Sequence, residues 1–329
     1  MTVVGQMGDF DVVEAVDAAA RELGSLAQRD VALAPFTTYR LGGPAALLVK
    51  AQTERDLTLV AAARAASGLP VLVIGRGSNM LVADRGFAGI AVVATALGGE
   101  LAVPDDAGDN DDESVVVRAG SGMALPVAAR RLSAIGLRGF EWAVGVPGSV
   151  GGAVRMNAGG HGSDMAACLV DARIFDLATA SASWRGVDDL GLRFRASDLA
   201  VDDVVVEATL RVRHGDRAAS EAELAEIVRW RRDNQPGGQN AGSVFVNPVP
   251  GEVSAGLLID GLGLRGLRVG TAWVSDKHAN FIQGSEGGSA DDVRAVMEIV
   301  RRRVADETGY LLRSEVRLIG FQDGPGSRP

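Results

Sequence analysis

Seven of the eighteen residues from Gly145 to Gly162 are glycine. The run reads Gly145-Val146-Pro147-Gly148-Ser149-Val150-Gly151-Gly152-Ala153 and ends Asn157-Ala158-Gly159-Gly160-His161-Gly162. One proline, little charge and apolar residues between the glycines set it apart from a flexible linker. A backbone that is packed and bent at once suits close contact with a large planar or phosphorylated ligand, because glycine leaves open the place of a Cβ. A glycine-rich structural corner is the other reading of the same residues.

A second glycine segment, Gly75-Arg76-Gly77-Ser78-Asn79, follows the apolar run Val71-Leu72-Val73-Ile74. A strand running into such a loop can present successive backbone N–H groups to a diphosphate. Met80 stands at the third glycine position, so this is not the dinucleotide fingerprint, and no Gly-Lys-Ser or Gly-Lys-Thr makes a Walker loop. Taken alone, the segment is equally a tight turn. Upstream, Thr37-Thr38-Tyr39-Arg40-Leu41-Gly42-Gly43-Pro44 is a glycine turn before the strand 45–49, and Thr53 with Asp56 predicts a capped helix stopped by Gly68-Leu69-Pro70. Strand–turn–helix–strand units of this kind indicate a mixed α/β domain.

The 329 residues suit two domains. A net charge of −9 argues against nucleic acid as a partner. No apolar run reaches the roughly 18 residues of a membrane helix. The acidic start 1–17 is no signal peptide, so a cytoplasmic protein is expected. Three histidines, His161, His214 and His278, and the single Cys168 give no structural zinc site and no internal disulfide. Lys50 and Lys277 are the only lysines, so nearly all positive charge lies on arginine, which suits forked recognition of carboxylate and phosphate but also reflects composition.

The acidic run 105–113 reads as a solvated hairpin insertion. Alternating segments at 172–175 and 204–212 are expected strands closing the first domain. A helix is expected to open at Ser220, with Glu223 in the capping-box position and Leu224, Ile227 and Val228 as its apolar stripe. That start sets the expected boundary between domains 1–219 (core from about residue 31) and 220–329. The last helix should be capped by Ser289 and Asp292, bury Val293, Val296, Val300 and Val304, carry Arg301, Arg302 and Arg303 near its C-terminus, and stop at Gly309. The tail after Phe321 should fray.

Two late segments complete the set. Asn240-Ala241-Gly242-Ser243-Val244-Phe245-Val246-Asn247-Pro248 holds a serine without the Gly-x-Ser-x-Gly elbow of a hydrolase. In the run 311–320, strand alternation would put Arg313, Glu315 and Arg317 on one face.

In this order and spacing, the segments from about Val31 to Phe321 resemble the UDP-N-acetylenolpyruvoylglucosamine reductase (MurB) family. The resemblance implies an α+β architecture: an FAD-binding domain of the vanillyl-alcohol-oxidase (PCMH) type and a smaller α/β C-terminal substrate domain. It also implies non-covalent FAD, NADPH as reductant, and a monomer with no membrane partner. In that family NADPH reduces FAD and leaves, and the enolpyruvyl sugar nucleotide takes its place. Flavin N5 then sends a hydride to C3 of the enolpyruvyl group while a proton arrives at C2.

Carried over position by position, the resemblance assigns Arg195 (in Phe194-Arg195-Ala196-Ser197) and Glu315 to polarising the substrate carboxylate, and Ser243 to general-acid work at C2. Glu315 could help only if protonated or bridged, so its carboxyl is expected to titrate high. Cofactor contacts are expected at Tyr39, Arg40, Gly75, Arg76, Gly77, Ser78, Asn79, Gly145, Pro147, Gly148, Gly151, Gly152, Asn157, Gly159, His161 and Gly162. Asn247 is expected at the substrate.

The chain departs from the family pattern in five places. Phe194 replaces a frequent tyrosine, and His161 a frequent aromatic. Asn234 and Val246 stand where lysines near the substrate diphosphate are common, so that charge should fall to Arg231 or Arg232. The short stretch 212–220 leaves no room for a tyrosine-bearing lid, which marks the compact subtype. Two alternatives stay open: an FAD-dependent oxidase of the same superfamily, some of whose members tether flavin through histidine or cysteine, and a flavin or nucleotide binder without turnover.

Overall fold

The computed structural model describes residues 9–104 and 114–322. The expected acidic insertion 105–113, residues 1–8 and the tail beyond 322 lie outside the described residues. The chain is α+β and forms two compact units. One comprises Met1–Val31, Ala45–Gly75 and Ala88–Leu224; the other Ala32–Pro44, Arg76–Phe87 and Ala225–Pro329.

The first unit is built on two sheets. Strands Gln28–Ala32, Pro44–Lys50, Phe87–Val93 and Val71–Ile74 lie side by side in that order, the last two parallel. Helices Asp9–Leu23 and Glu54–Ser67 cover them, burying Ala19, Leu23, Leu57 and Val60 against Leu47, Val49, Ile90 and Val92. The second helix starts where the sequence says it must. Thr53 accepts from Asp56 N at 3.2 Å, Asp56 accepts from Thr53 N at 3.0 Å, and Gly68 closes the helix in the left-handed region at φ 68°.

The other sheet runs Ser181–Gly186, Leu169–Asp176, Asp203–His214, Ser114–Gly120 and Leu101–Ala102, antiparallel wherever the pairing is defined. The long central strand Asp203–His214 alternates buried Ala208, Leu210 and Val212 with exposed Arg211 and Arg213.

The second unit packs helix Ala290–Thr308 against the antiparallel strands Arg268–Val269, Ala272–Val274 and Ile282–Gly284. Ser289 caps the helix by accepting from Asp292 N at 3.1 Å; Val293, Val296, Val300 and Val304 are buried, and Gly309 ends it at φ 76°. Arg301 to Arg303 fall before its last turn: Arg303 pairs with Glu307 at 2.7 Å, and Arg301 donates to the Leu312 carbonyl at 3.2 Å.

These units depart from a contiguous division at residue 220 in three places, one being that the last boundary falls after Leu224. Segment 76–87 belongs with the C-terminal residues because Met80–Val82 pairs in parallel with Arg317–Ile319. Segment 32–44 belongs there because Tyr39 is fully buried in the cluster around Val296 and Val300 and donates its hydroxyl to the Ile282 carbonyl at 3.0 Å.

Two sequence expectations are corrected. The helix expected at Ser220 runs Arg217–Asn234, with Asp216 accepting from Ala218 N at 2.9 Å as its cap. Ser220 is wholly buried inside it because its hydroxyl is needed elsewhere, donating to Glu141 Oε1 at 2.8 Å. Val228, placed on the apolar stripe, is exposed. The run 311–320 is not one strand: only Arg317–Ile319 is, and Ser314 makes an isolated bridge to Phe245.

Candidate functional site

In the second unit, Gly242 turns the chain at φ 79° directly before Ser243. From there Val244 to Val246 lies along the segment 313–315. Val246 N donates to the Arg313 carbonyl at 2.9 Å, and Glu315 N donates to the Val244 carbonyl at 2.8 Å. Ser243 and Glu315 are thereby brought onto one short backbone pairing, both half-buried. The Ser243 hydroxyl has no protein hydrogen-bond partner among the described residues.

Asn79 joins this group by donating its Nδ2 to the Glu315 carbonyl at 3.1 Å. Its loop is pinned through its carbonyls: the Gly77 oxygen accepts from Thr38 N at 3.2 Å and the Asn79 oxygen from Arg317 N at 3.1 Å. Among the described residues, no protein acceptor takes the N–H groups of Arg76, Gly77, Ser78 and Asn79. Successive uncommitted amides on a fixed loop are the donors that an anion-binding turn requires. Gly77 is glycine for a packing reason as well, since at φ 60° a Cβ would collide with the Phe36 carbonyl.

Asn247 is exposed, and its Oδ1 accepts from Ala255 N at 3.0 Å, the start of helix Ala255–Gly261. Its Nδ2 is free to donate, among the described residues. Arg231 is half-buried and donates to Gln235 Oε1 at 2.8 Å. Burial holds its guanidinium below the ordinary arginine value, and no carboxylate pairs with it among the described residues. A desolvated guanidinium without an internal anion suits an external one. Arg232, by contrast, pairs with Asp233 at 3.2 Å, and its carbonyl accepts from Lys277.

In the first unit, Gly145 closes a 3-10 turn Glu141–Gly145, and Ser149 caps the short helix Val150–Met156. The amides at its start are all committed: Val150 N to Met123 O at 2.9 Å, Gly151 N to Ser121 O at 2.9 Å, and Gly152 N to Ser149 Oγ at 3.4 Å. Here the glycines serve the protein's own packing. A Cβ on Gly75 would stand 2.6 Å from Ser149 Oγ, one on Gly151 2.8 Å from Ser121 Cβ, and one on Gly159 2.5 Å from Asp164 Cβ. Gly160 and Gly162 face open space. His161 and Gly162, at φ 52° and 84°, form the two-residue turn of the hairpin 159–164 and are exposed.

Arg195 occupies another tight turn. Arg193 and Ala196 exchange backbone hydrogen bonds at 3.0 Å, which leaves Phe194 and Arg195 at the corner, Arg195 at φ 55°. Its guanidinium lies 5.1 Å from the Phe194 ring and donates to the Gly159 carbonyl at 2.8 Å. Asn157 fastens this turn to the glycine-rich run, donating to the Arg193 carbonyl and to Asp164 Oδ2 at 3.2 Å each while accepting from Ala166 N at 2.9 Å.

The structure thus brings Ser243, Glu315 and Asn79 together in the second unit, and Arg195, Asn157 and Gly159 together in the first. Two expected cofactor contacts change character. Tyr39 presents no surface to a ligand, and burial drives its phenol far above the ordinary value. Asn157 is buried with its amide committed to the fold. Arg40 and Arg76 are exposed at their turns.

Residues 45–181 match the family described as FAD binding domain, and residues 234–319 the UDP-N-acetylenolpyruvoylglucosamine reductase C-terminal domain. The UDP-N-acetylenolpyruvoylglucosamine reductase of Synechococcus sp. (strain CC9311) is 40% identical over 303 residues, 90% of this chain and 94% of that one. The reductase of Methylorubrum populi is 37% identical over 324 residues, covering 97% of this chain and all of its own. The chain belongs to the UDP-N-acetylenolpyruvoylglucosamine reductase family.

The crystal structure of the reductase from Thermus caldophilus superposes with a TM-score of 0.72 at 32% identity, covering 89% of this chain and 98% of that one. The reductase family architecture, an FAD-binding domain followed by the family's own C-terminal domain, is therefore that of this chain.

Two buried polar residues, one in each unit, escape a motif-based reading. Asn280 sits in the apolar run Ala279-Asn280-Phe281-Ile282, and Glu141 between Phe140 and Trp142. A polar residue flanked by core residues is itself a signal, because such a group is buried only with its hydrogen bonds made.

Proposed function

We propose that this chain reduces UDP-N-acetylglucosamine enolpyruvate to UDP-N-acetylmuramate with NADPH and FAD, an oxidoreduction at a CH–CH bond in peptidoglycan precursor synthesis. The reading includes a cytoplasmic monomer of the compact subtype; no described helix is long and apolar enough to cross a membrane. The observation that carries it is the loop Arg76–Asn79, whose uncommitted amides fit a diphosphate and whose Asn79 is bonded to the segment bearing Glu315. FAD, when bound, supplies the hydride that it has received from NADPH.

This chain's own residues handle the charge and the proton. Hydride addition at C3 of a vinyl ether places negative charge at C2 and in the adjacent carboxylate. Arg195 stabilises it through a charge-assisted fork. Ser243 delivers the proton to C2, and water resupplies its hydroxyl. Glu315, as a protonated or bridged group, polarises the same carboxylate. Arg231 takes a substrate phosphate in place of the lysine that Asn234 lacks, and Asn247 donates its amide to the substrate.

Cys168 is no candidate for a flavin tether. It is buried, and burial and the Asp164 carboxylate push its thiol up to about 12. The test is the visible spectrum of the purified protein under anaerobic NADPH, then with UDP-N-acetylglucosamine enolpyruvate. Bleaching by NADPH and recovery only on adding the sugar nucleotide is expected. Recovery by oxygen alone favours the oxidase reading, and failure to bind FAD overturns both.

A further inference from the structure

The segment that carries Ser243 pairs with Arg313 and Glu315. Among the described residues, Val244 and Phe245 have one further hydrogen-bond partner, Asn280. Its carbonyl accepts from Val244 N at 2.8 Å. Its side-chain amide takes both polar groups of Phe245: Oδ1 accepts from Phe245 N at 3.0 Å, and Nδ2 donates to Phe245 O at 2.8 Å. Here a side chain does the work of a neighbouring strand's peptide group, at 4% exposure.

Before Ser243 the chain turns at Gly242, φ 79°, with Gly242 N donating to Asn240 Oδ1 at 3.0 Å. After it, Val244 and Phe245 are held through their peptides by Asn280 and, at Val244, also by Glu315.

We propose that Asn280 is a positioning residue for the enolpyruvyl reduction: it fixes the backbone that aims the Ser243 hydroxyl. The inference rests on the reading of Ser243 as proton donor. The requirement is specific to asparagine, which alone at this side-chain length offers a donor and an acceptor in one plane. Aspartate keeps the acceptor, but when ionised it sets a charge against the Phe245 carbonyl. Protonated aspartic acid restores a donor there, and burial raises the pH at which it does so.

The test uses the FAD-loaded protein and two variants, Asn280→Ala and Asn280→Asp, with the half-reactions followed separately by flavin absorbance. Bleaching by NADPH should stay within about twofold of the parent. Recovery with the enolpyruvyl sugar nucleotide should slow by about 100-fold, the cost of displacing a reacting group by roughly 1 Å. The titratable and charged groups around this backbone are His278, whose Nδ1 accepts from Asn280 N at 3.2 Å and which burial and Arg265 hold below its ordinary value, and, across the segment, Arg313 and Glu315. Each pH profile is therefore divided by that of the parent.

In that ratio, Asn280→Asp should recover as pH falls, and Asn280→Ala should not. Equal loss in both half-reactions, or parent-like recovery of Asn280→Asp at pH 8, overturns the proposal. If Asn280→Ala does not fold, the slope of the Asp variant decides. Ser243→Ala in the same assay separates the two ideas. If it is slow while Asn280→Asp is not, the positioning role fails and the serine reading stands; if it is fast, the serine reading itself fails.

Discussion

Asn79 donates its side-chain amide to the carbonyl of Glu315 at 3.1 Å, across 236 residues of chain. With the Arg317 N bond to the Asn79 carbonyl, it ties a glycine loop to the backbone of the segment that bears Glu315. Asn79→Ala leaves the half-buried Glu315 carbonyl without this donor. The loss of a neutral hydrogen bond should cost about 1 kcal/mol of stability. Loss of FAD occupancy should accompany it, because the amides of the same loop are then less firmly held. Denaturant unfolding and the flavin-to-protein absorbance ratio check both; parent-like values in both would make the bond incidental.

Ser243→Ala removes a hydroxyl that no protein group uses among the described residues, so stability should change by less than about 1 kcal/mol. Flavin bleaching by NADPH should be nearly unaffected, while recovery with the enolpyruvyl substrate should fall by about 10²–10⁴-fold, the usual worth of a positioned acid. Stopped-flow absorbance separates the two. Equal loss in both half-reactions would take the proton-donor role away from Ser243.

Features with short-range causes were legible in the sequence. The cap at Thr53 with Asp56 is complete within four residues, and Gly68 and Gly309 carry their left-handed turns in themselves. At Ser289 only half of the expected box forms: its hydroxyl takes Asp292 N, but the Asp292 carboxylate accepts from Thr271, 21 residues away, whose hydroxyl in turn accepts from Ser289 N. Ser220 with Glu223 has the same spelling but a different outcome, because Glu141, 79 residues away, takes the serine hydroxyl and Arg138 takes Glu223. The glycine runs were located correctly, yet the reason for each glycine was not readable. A ligand and a neighbouring backbone both demand the absence of a Cβ, and at Gly77 and Gly151 protein atoms already occupy that place. Tyr39 lies within a family motif but is a core residue, a distinction that only its burial in the second unit's core and its bond to the Ile282 carbonyl draw.

Arg195→Lys keeps the charge but loses the fork. The guanidinium is a planar fork, one nitrogen of which holds the Gly159 carbonyl at 2.8 Å; an ammonium has no such planar geometry. Turnover of the enolpyruvyl substrate should fall by about 10²-fold, the usual cost of losing one preorganised donor to a developing anion. Steady-state kcat at saturating NADPH measures it. A near-normal rate would remove Arg195 from the reaction.

Glu141 is a 6% exposed carboxylate gripped on three sides, and its charge sets a pH dependence of stability. Oε1 accepts from Ser220 at 2.8 Å and from Arg138 Nε at 3.1 Å, and Oε2 accepts from Gly139 N at 2.7 Å. Burial alone would push its pKa up. The hydrogen bonds from Ser220, the backbone and Arg138 together outweigh burial and hold it below the ordinary glutamate value. A folded-state pKa below the unfolded one means that the unfolded chain binds more protons as pH falls. The stabilisation is therefore complete above the unfolded value of about 4.3 and is lost as pH drops through the folded value. Glu141→Gln should lower stability by about 2 kcal/mol at pH 7, the worth of charged hydrogen bonds. The gap between variant and parent should close below about pH 4. Urea unfolding at pH 7, 5 and 3.5 gives the comparison; a gap that stays constant with pH would mean that the charge of Glu141 contributes nothing and that only its shape matters.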